Sequence, residues 1–126
     1  MYDPKLRISG LLHVVLPVCN KKDGNTPKYV DTGIQLLLDQ LLHKGANRRS
    51  LIIRMAGGAN MLNIGNAASP FDIGSRNIDA AHETFSELRL YVKSEEVGGQ
   101  TGRTVRLYAS DGRMTIRMMG GKEREI

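Results

Sequence analysis

A chain of 126 residues, 40% apolar and 25% charged, fits one domain and can build a core without metals or disulfides. Its one cysteine, Cys19, excludes an intrachain disulfide and a zinc site built from several thiolates, and it suits a reducing compartment. The balance of 18 basic against 13 acidic side chains gives a net charge of +5, but the charges are scattered, with no basic helix and no basic stretch interleaved with aromatics. That disfavours nucleic-acid binding and fits a solvated surface or an acidic protein partner.

In chain order, Tyr2-Asp3-Pro4 is turn chemistry, and no charged-then-apolar leader precedes it. Ile8 to Leu16 reads as a buried strand between Gly10 and Pro17. The apolar stretch Leu11 to Cys19 is interrupted by His13 and Pro17 and is too short to span a bilayer. No membrane insertion is expected, and a cytoplasmic location is. Residues 19–27 have loop composition. From about Lys28 to Lys44, Ile34, Leu37, Leu38, Leu41 and Leu42 recur at helical spacing, with Thr26-Pro27 as a start and Gly45 as a stop.

Leu51 to Met55 is a second strand, ended by Gly57-Gly58. Residues 60–74 read as irregular. Asn77 to Leu88 is a second helix, with Ile78, Ala81, Phe85 and Leu88 on one side. A third strand lies around Leu90 and Val92. Residues 97–102 are loop. Val105, Leu107 and Ala109, then Met114, Ile116 and Met118, alternate as two strands, with Asp111-Gly112 as the hairpin signal. The last residues, Gly120 to Ile126, look frayed. The order is β-α-β-α-β-β-β, with no repeat or linker. This predicts one mixed α/β (α+β) domain over residues 1–126, with layered sheets flanked by two main helices.

The chemistry-bearing residues are few. His13, inside an apolar strand, is either a satisfied core histidine or a base delivered to a cleft. Cys19 lies six residues further on, in a loop, which is a poor place to hold a nucleophile against a base on the preceding strand. Gly57-Gly58-Ala59-Asn60 follows a strand, yet it lacks the Lys-Ser/Thr of a phosphate loop and the glycine frame of a dinucleotide site. A backbone that turns tightly or passes close to another segment explains the glycine pair better. His43 and His82 fall on helices without ligand spacing, so neither a metal nor a cofactor is expected.

Six segments, taken in order, resemble the CheD family. They are Leu11-Leu12-His13-Val14-Val15-Leu16-Pro17; Tyr29 with Asp31; Gly45-Ala46; Met55-Ala56-Gly57-Gly58-Ala59-Asn60-Met61; Ile73-Gly74-Ser75-Arg76-Asn77-Ile78; and Glu96-Val97-Gly98-Gly99-Gln100-Thr101-Gly102-Arg103. The resemblance runs from Asp3 to about Met118. It implies a protein-glutamine deamidase of chemotaxis signal transduction. Such an enzyme turns chosen glutamines of methyl-accepting chemotaxis receptors into glutamates and hydrolyses receptor methyl esters. It implies cysteine–histidine catalysis, with His13 matching the family's catalytic histidine as general base and acid, and binding to a CheC-type phosphatase in many species.

One departure matters. In the family the nucleophilic cysteine lies in a Gly-x-Cys-type segment about a strand's length ahead of the Asp-Pro turn. This chain starts at that turn, and Cys19 lies on the wrong side of His13. The expectation is therefore a CheD-like domain lacking the family's N-terminal strands and its cysteine segment, most simply through a start assigned too late. The alternative reading is a catalytically inactive binding module that docks on chemoreceptors or on a CheC-type phosphatase.

Overall fold

The two apolar faces become α1 (Val30–His43) and α2 (Ile73–Glu87), which pack on each other. The computed structural model describes residues 1–20, 24, 26–61 and 72–126. Lys21, Lys22, Asp23 and Asn25 of the predicted loop and residues 62–71 of the predicted irregular stretch lie outside the described residues.

Helix α1 stops where the glycine predicts: the Gly45 N–H donates to the Leu42 carbonyl, and that of Ala46 to Leu41. Helix α2 begins four residues before the expected Asn77. The Asp72 carboxylate accepts from the Ser75 N–H at 3.1 Å and from its hydroxyl at 2.8 Å, so this cap starts the helix ahead of its apolar period.

Seven strands form among the described residues, against five predicted: β1 (Tyr2–Asp3), β2 (Ile8–Ser9), β3 (Ile53–Gly57), β4 (Val92–Val97), β5 (Arg103–Leu107), β6 (Met114–Met118) and β7 (Arg124–Glu125). β1 and β2 pair antiparallel, β3 and β4 parallel, and β5-β6-β7 form an antiparallel sheet. The mixed α/β class stands, and three details change.

First, the strand predicted over Ile8 to Leu16 forms a ladder only at Ile8–Ser9. Residues 11–14 have no backbone-to-backbone hydrogen bond among the described residues. Pairing resumes at Leu16, bridged in parallel to Tyr29. The apolar, β-branched composition is there, but no neighbouring strand is found among the described residues. Second, the strand predicted over Leu51 to Met55 slides to Ile53–Gly57, because Ile52 bridges Tyr2 on the other side instead. Third, the C-terminal residues are not frayed. Glu125 and Arg124 pair with Thr115 and Ile116, and the Glu123 carboxylate accepts from the Thr115 hydroxyl and from Arg106.

The Asp3-Pro4 opening is a built turn. Asp3 is 1% exposed; its Oδ1 accepts from the N–H groups of Lys5 (2.8 Å) and Leu6 (3.1 Å), and its Oδ2 from the Asn47 N–H (2.7 Å). These donors, Asn47 foremost, hold its carboxyl below the usual carboxylate range. The core gathers Val30, Ile34, Ile53, Ala80, Ala81 and Phe85, with Leu12, Val14 and Met1 packed against it. Each fully buried aliphatic side chain there contributes roughly 1.5–3 kcal/mol.

Candidate functional site

His13 sits in the unpaired stretch, whose ends are pinned. At one end the Gly10 N–H donates to the Met1 carbonyl at 2.9 Å, and the Met1 amine donates back to the Gly10 carbonyl at 2.9 Å. At the other end, the Val15 and Leu16 N–H groups donate to the Lys28 carbonyl, and the Asn77 Nδ2 of α2 donates to the Val15 carbonyl at 3.2 Å. Between these ends the chain is extended, so side chains alternate. Leu12 and Val14 turn into the core, while Leu11, His13 and Val15 are exposed. His13 is therefore not a satisfied core histidine. Its ring has no hydrogen-bond partner among the described residues, and His13 is one of the residues lining a cavity of about 600 Å³.

That cavity is lined by both helices, β3, β5 and the His13 stretch. Its walls are mostly apolar, with His13, Arg54, Asn77 and Arg103 as the polar exceptions. A large, mostly apolar hollow with few convergent polar groups is the usual form of a binding or catalytic site. Gly58 builds one wall by close approach, whereas a Cβ at Gly57 would meet nothing within 4 Å. A Cβ at Gly58 would meet Ile78 Cδ1 at 2.6 Å, and one at Gly74 would meet the Gly58 carbonyl oxygen at 2.5 Å. So the end of β3 runs against the start of α2 with no room for a side chain at Gly58, which is the close approach, one of the two reasons expected for these glycines; Gly57, at φ 133°, has open space around it.

Arg103 shores up the rim. Its side chain is 4% exposed, and its guanidinium donates to the Gly98 carbonyl at 2.7 Å and to the Gly57 carbonyl at 3.4 Å, and lies 3.7 Å from Glu96. Glu96 is shared with Arg124, and that hydrogen bond, with the Arg103 charge behind it, lowers its pKa. The Asn60 N–H donates to the Gly99 carbonyl, which ties the two glycine loops together. Arg54 lines the cavity near the chain start and donates to the Gly112 carbonyl at 2.9 Å. Burial, then the charge of Arg54, lowers the pKa of the Met1 amine to about 6.

Cys19 does not line the cavity. The Asp31 carboxylate accepts its N–H, and its thiol donates to the Gly24 carbonyl at 3.0 Å. His43 is exposed in the last turn of α1, and His82 is exposed and pairs with Glu95 of β4 at 2.7 Å. Sequence reasoning did not single out Arg103 or Asn77. The visible signals were an arginine closing a glycine-rich loop and a helix-opening asparagine, and neither says what the side chain will reach. Among the described residues, no helix is long and apolar enough to cross a membrane.

Four of the six segments that carry the family resemblance, around His13, Gly57-Gly58, Asn77 and Arg103, meet at this one cavity. Comparison with known proteins agrees. A family profile described as CheD chemotactic sensory transduction matches residues 15–118. The probable chemoreceptor glutamine deamidase CheD of Caldanaerobacter subterraneus subsp. tengcongensis is 38% identical over 122 residues, covering 95% of this chain and 75% of that protein. The protein so named from Methanococcus vannielii is 41% identical over 118 residues, covering 93% and 75%. The chemoreceptor glutamine deamidase CheD of Halalkalibacterium halodurans is 36% identical over 129 residues, covering 100% and 80%. With a family profile over most of its length and such relatives in both bacteria and a methanogen, this chain belongs to the CheD family.

Proposed function

We propose that the cavity beside His13 is the active site of a protein-glutamine deamidase acting on the cytoplasmic domains of methyl-accepting chemotaxis receptors. The observation that carries the reading is the convergence of the family segments on one hollow, with an exposed histidine at its edge that has no structural partner among the described residues. Such a protein works on the cytoplasmic side, and a CheC-type phosphatase is the partner that the family resemblance suggests.

The chemistry follows from a thiolate and an imidazole. A cysteine thiolate attacks the glutamine carboxamide carbon, and backbone N–H groups hold the oxyanion. His13, having kept the thiol ionised, gives its proton to the departing ammonia and leaves a thioester. It then takes a proton from water as the water attacks, releasing glutamate and the thiol. The net reaction is glutamine plus water giving glutamate plus ammonia.

We assign the nucleophile to a cysteine outside residues 1–126, in the cysteine segment that the family resemblance implies. Cys19 is engaged with the Gly24 carbonyl and stands away from the cavity lining. The test is incubation with a receptor cytoplasmic domain, read by the roughly one-dalton gain per converted glutamine. The 126-residue chain is expected to be inactive, and a version carrying the family's cysteine segment ahead of Met1 is expected to be active and to lose its activity on His13→Ala. Turnover by the 126-residue chain that Cys19→Ala abolishes would overturn the assignment.

A further inference from the structure

Cations that lie scattered along the sequence are gathered by the fold at one place. Arg48 and Arg49 from a 3₁₀ turn (Arg48–Ser50), Arg89 from the turn after α2 and Lys93 from β4 line a groove of about 430 Å³. Leu51, Ile52, Leu90 and Tyr91 line the rest of it. The groove shares no lining residue with the cavity beside His13. It stands where β3 and β4 begin, whereas the Gly57-Gly58 wall of that cavity stands where β3 ends.

The charges are held in place but not neutralised. The turn that carries Arg48 and Arg49 is fixed from inside: the buried Asp3 carboxylate accepts from the Asn47 N–H at 2.7 Å, and the Asn47 Oδ1 accepts from the Arg49 N–H at 2.9 Å. Arg48 donates to the Leu88 carbonyl behind α2, the end of a helix dipole that favours a cation. No carboxylate lines the groove, and Arg48, Arg49, Arg89 and Lys93 form no ion pair among the described residues. By contrast, Arg103, Arg106, Arg113 and Arg124 each pair with a carboxylate.

Arg89 is placed against its backbone preference. Its N–H donates to the Ser86 carbonyl and the Leu90 N–H to the Phe85 carbonyl, so α2 closes in the kind of stop that glycine usually makes. Arg89 takes φ 51° there, a left-handed conformation in which a Cβ crowds the backbone. The fold keeps an arginine at this position although it strains the turn. Tyr91 beside it is 80% exposed. Arginine and tyrosine are among the side chains that most often anchor protein interfaces.

We infer that this groove is a docking site for an acidic segment of a partner protein, with carboxylates on the four cations and an apolar side chain seated on Leu51, Ile52 and Leu90. Arginine holds a carboxylate through two parallel hydrogen bonds. Like charges gathered in the free chain repel one another, and an acidic ligand relieves that repulsion. The apolar floor would go unused by a free inorganic anion, and a single tyrosine gives a nucleic-acid strand little to stack on. The inference does not rest on the deamidase reading, since the groove and the cavity beside His13 are lined by different residues.

The test uses the 126-residue chain and fluorescent peptides of about twelve residues in about 0.1 M salt, read by anisotropy. One peptide is glutamate with a leucine at every fourth position; a second has glutamine for every glutamate, and a third has serine for every leucine. The first is expected to bind at least about tenfold more tightly than either of the others. Arg89→Gly with Lys93→Thr should weaken that binding at least about tenfold. Arg117→Thr with Lys122→Ser removes the same charge elsewhere on the surface and should weaken it by less than about twofold. Arg89→Gly should also raise the melting temperature by roughly 2–5 °C, so the lost binding is not lost fold. Equal weakening by the two double variants would overturn the inference, and so would a serine or glutamine peptide that binds as well as the first. Displacement of the first peptide by about 1 mM inorganic phosphate, or tighter binding of an oligothymidylate at the same residues, would overturn it in favour of a free anion or a nucleic acid.

Discussion

The β5-β6-β7 sheet and the stretch around His13 are built from similar residues and end in opposite states. In the sheet every apolar residue finds a partner. Val105 faces Ile116, Leu107 faces Met114, and β7 closes the far edge of β6. Ile116 is 1% exposed. In the His13 stretch, Leu11 is 61% and Val15 57% exposed, and the backbone between them pairs with nothing among the described residues. The hairpin is joined by a short loop, so each strand meets its partner at little entropic cost. The His13 stretch and β3 are brought to one cavity by contacts spanning some fifty residues, from Tyr2 to Ile52.

The largest expected effect sets one aliphatic residue against another. Ile116→Ala should cost about 2–5 kcal/mol in urea denaturation, because it opens a cavity in a filled interior. Leu11→Ala should stay within about 0.5 kcal/mol, because that side chain is already in water. Equal losses would remove the contrast between the two regions.

Next is a pH effect confined to the open side. The pKa of the Met1 amine falls to about 6 in the folded chain from 8.0. Between those values the unfolded chain binds more protons than the folded one, so stability should rise from pH 6 to pH 8, by about 2–3 kcal/mol at most. N-terminal acetylation should flatten this slope while leaving an N–H for the Gly10 carbonyl. Asp3 acts in the opposite range: its lowered pKa gives stability above the ordinary carboxylate value that is lost as the solution is acidified through the folded value.

A smaller loss is expected where β3 meets α2. Gly74→Ala puts a methyl group 2.5 Å from the Gly58 carbonyl oxygen, a backbone atom, so the helix must shift by a fraction of an ångström. The cost should be about 1–3 kcal/mol by thermal or urea melting. Because the shift moves the cavity wall at Gly58 and Ile78, any deamidation by an extended chain should fall as well.

The same contrast governs what could be read from the sequence. The helices, and the hairpin with Asp111-Gly112 in its loop, were legible because their signals are local: apolar spacing, a stop glycine, alternation around a turn. The start of α2 was missed because a single Asp72–Ser75 cap outweighed the apolar period. β7 was missed because its support is a set of side-chain ties, from Glu123 to Thr115 and Arg106 and from Arg124 to Glu96. β1 depends on Tyr2 meeting Ile52, which has no local signature. For the site, His13 was open between two readings from its own neighbourhood. Burial decided between them, since alternation in an extended chain puts Leu12 and Val14 inside and His13 outside. The buried anchor Arg103 could not be foreseen from a glycine-rich loop alone.

The smallest expected effect bears most directly on function. His13→Ala should change stability by less than about 0.5 kcal/mol, because its ring is exposed and has no hydrogen-bond partner among the described residues. His82→Ala, which removes only an exposed pair with Glu95, should behave alike. The two histidines then separate by what else is lost. In a chain extended to supply a nucleophile, His82→Ala should leave turnover intact and His13→Ala should abolish it. A histidine that the fold does not use, set in a run of aliphatic residues and beside a cavity, is best explained by what it does to a substrate. A clear loss of stability in His13→Ala would return it to an ordinary structural role.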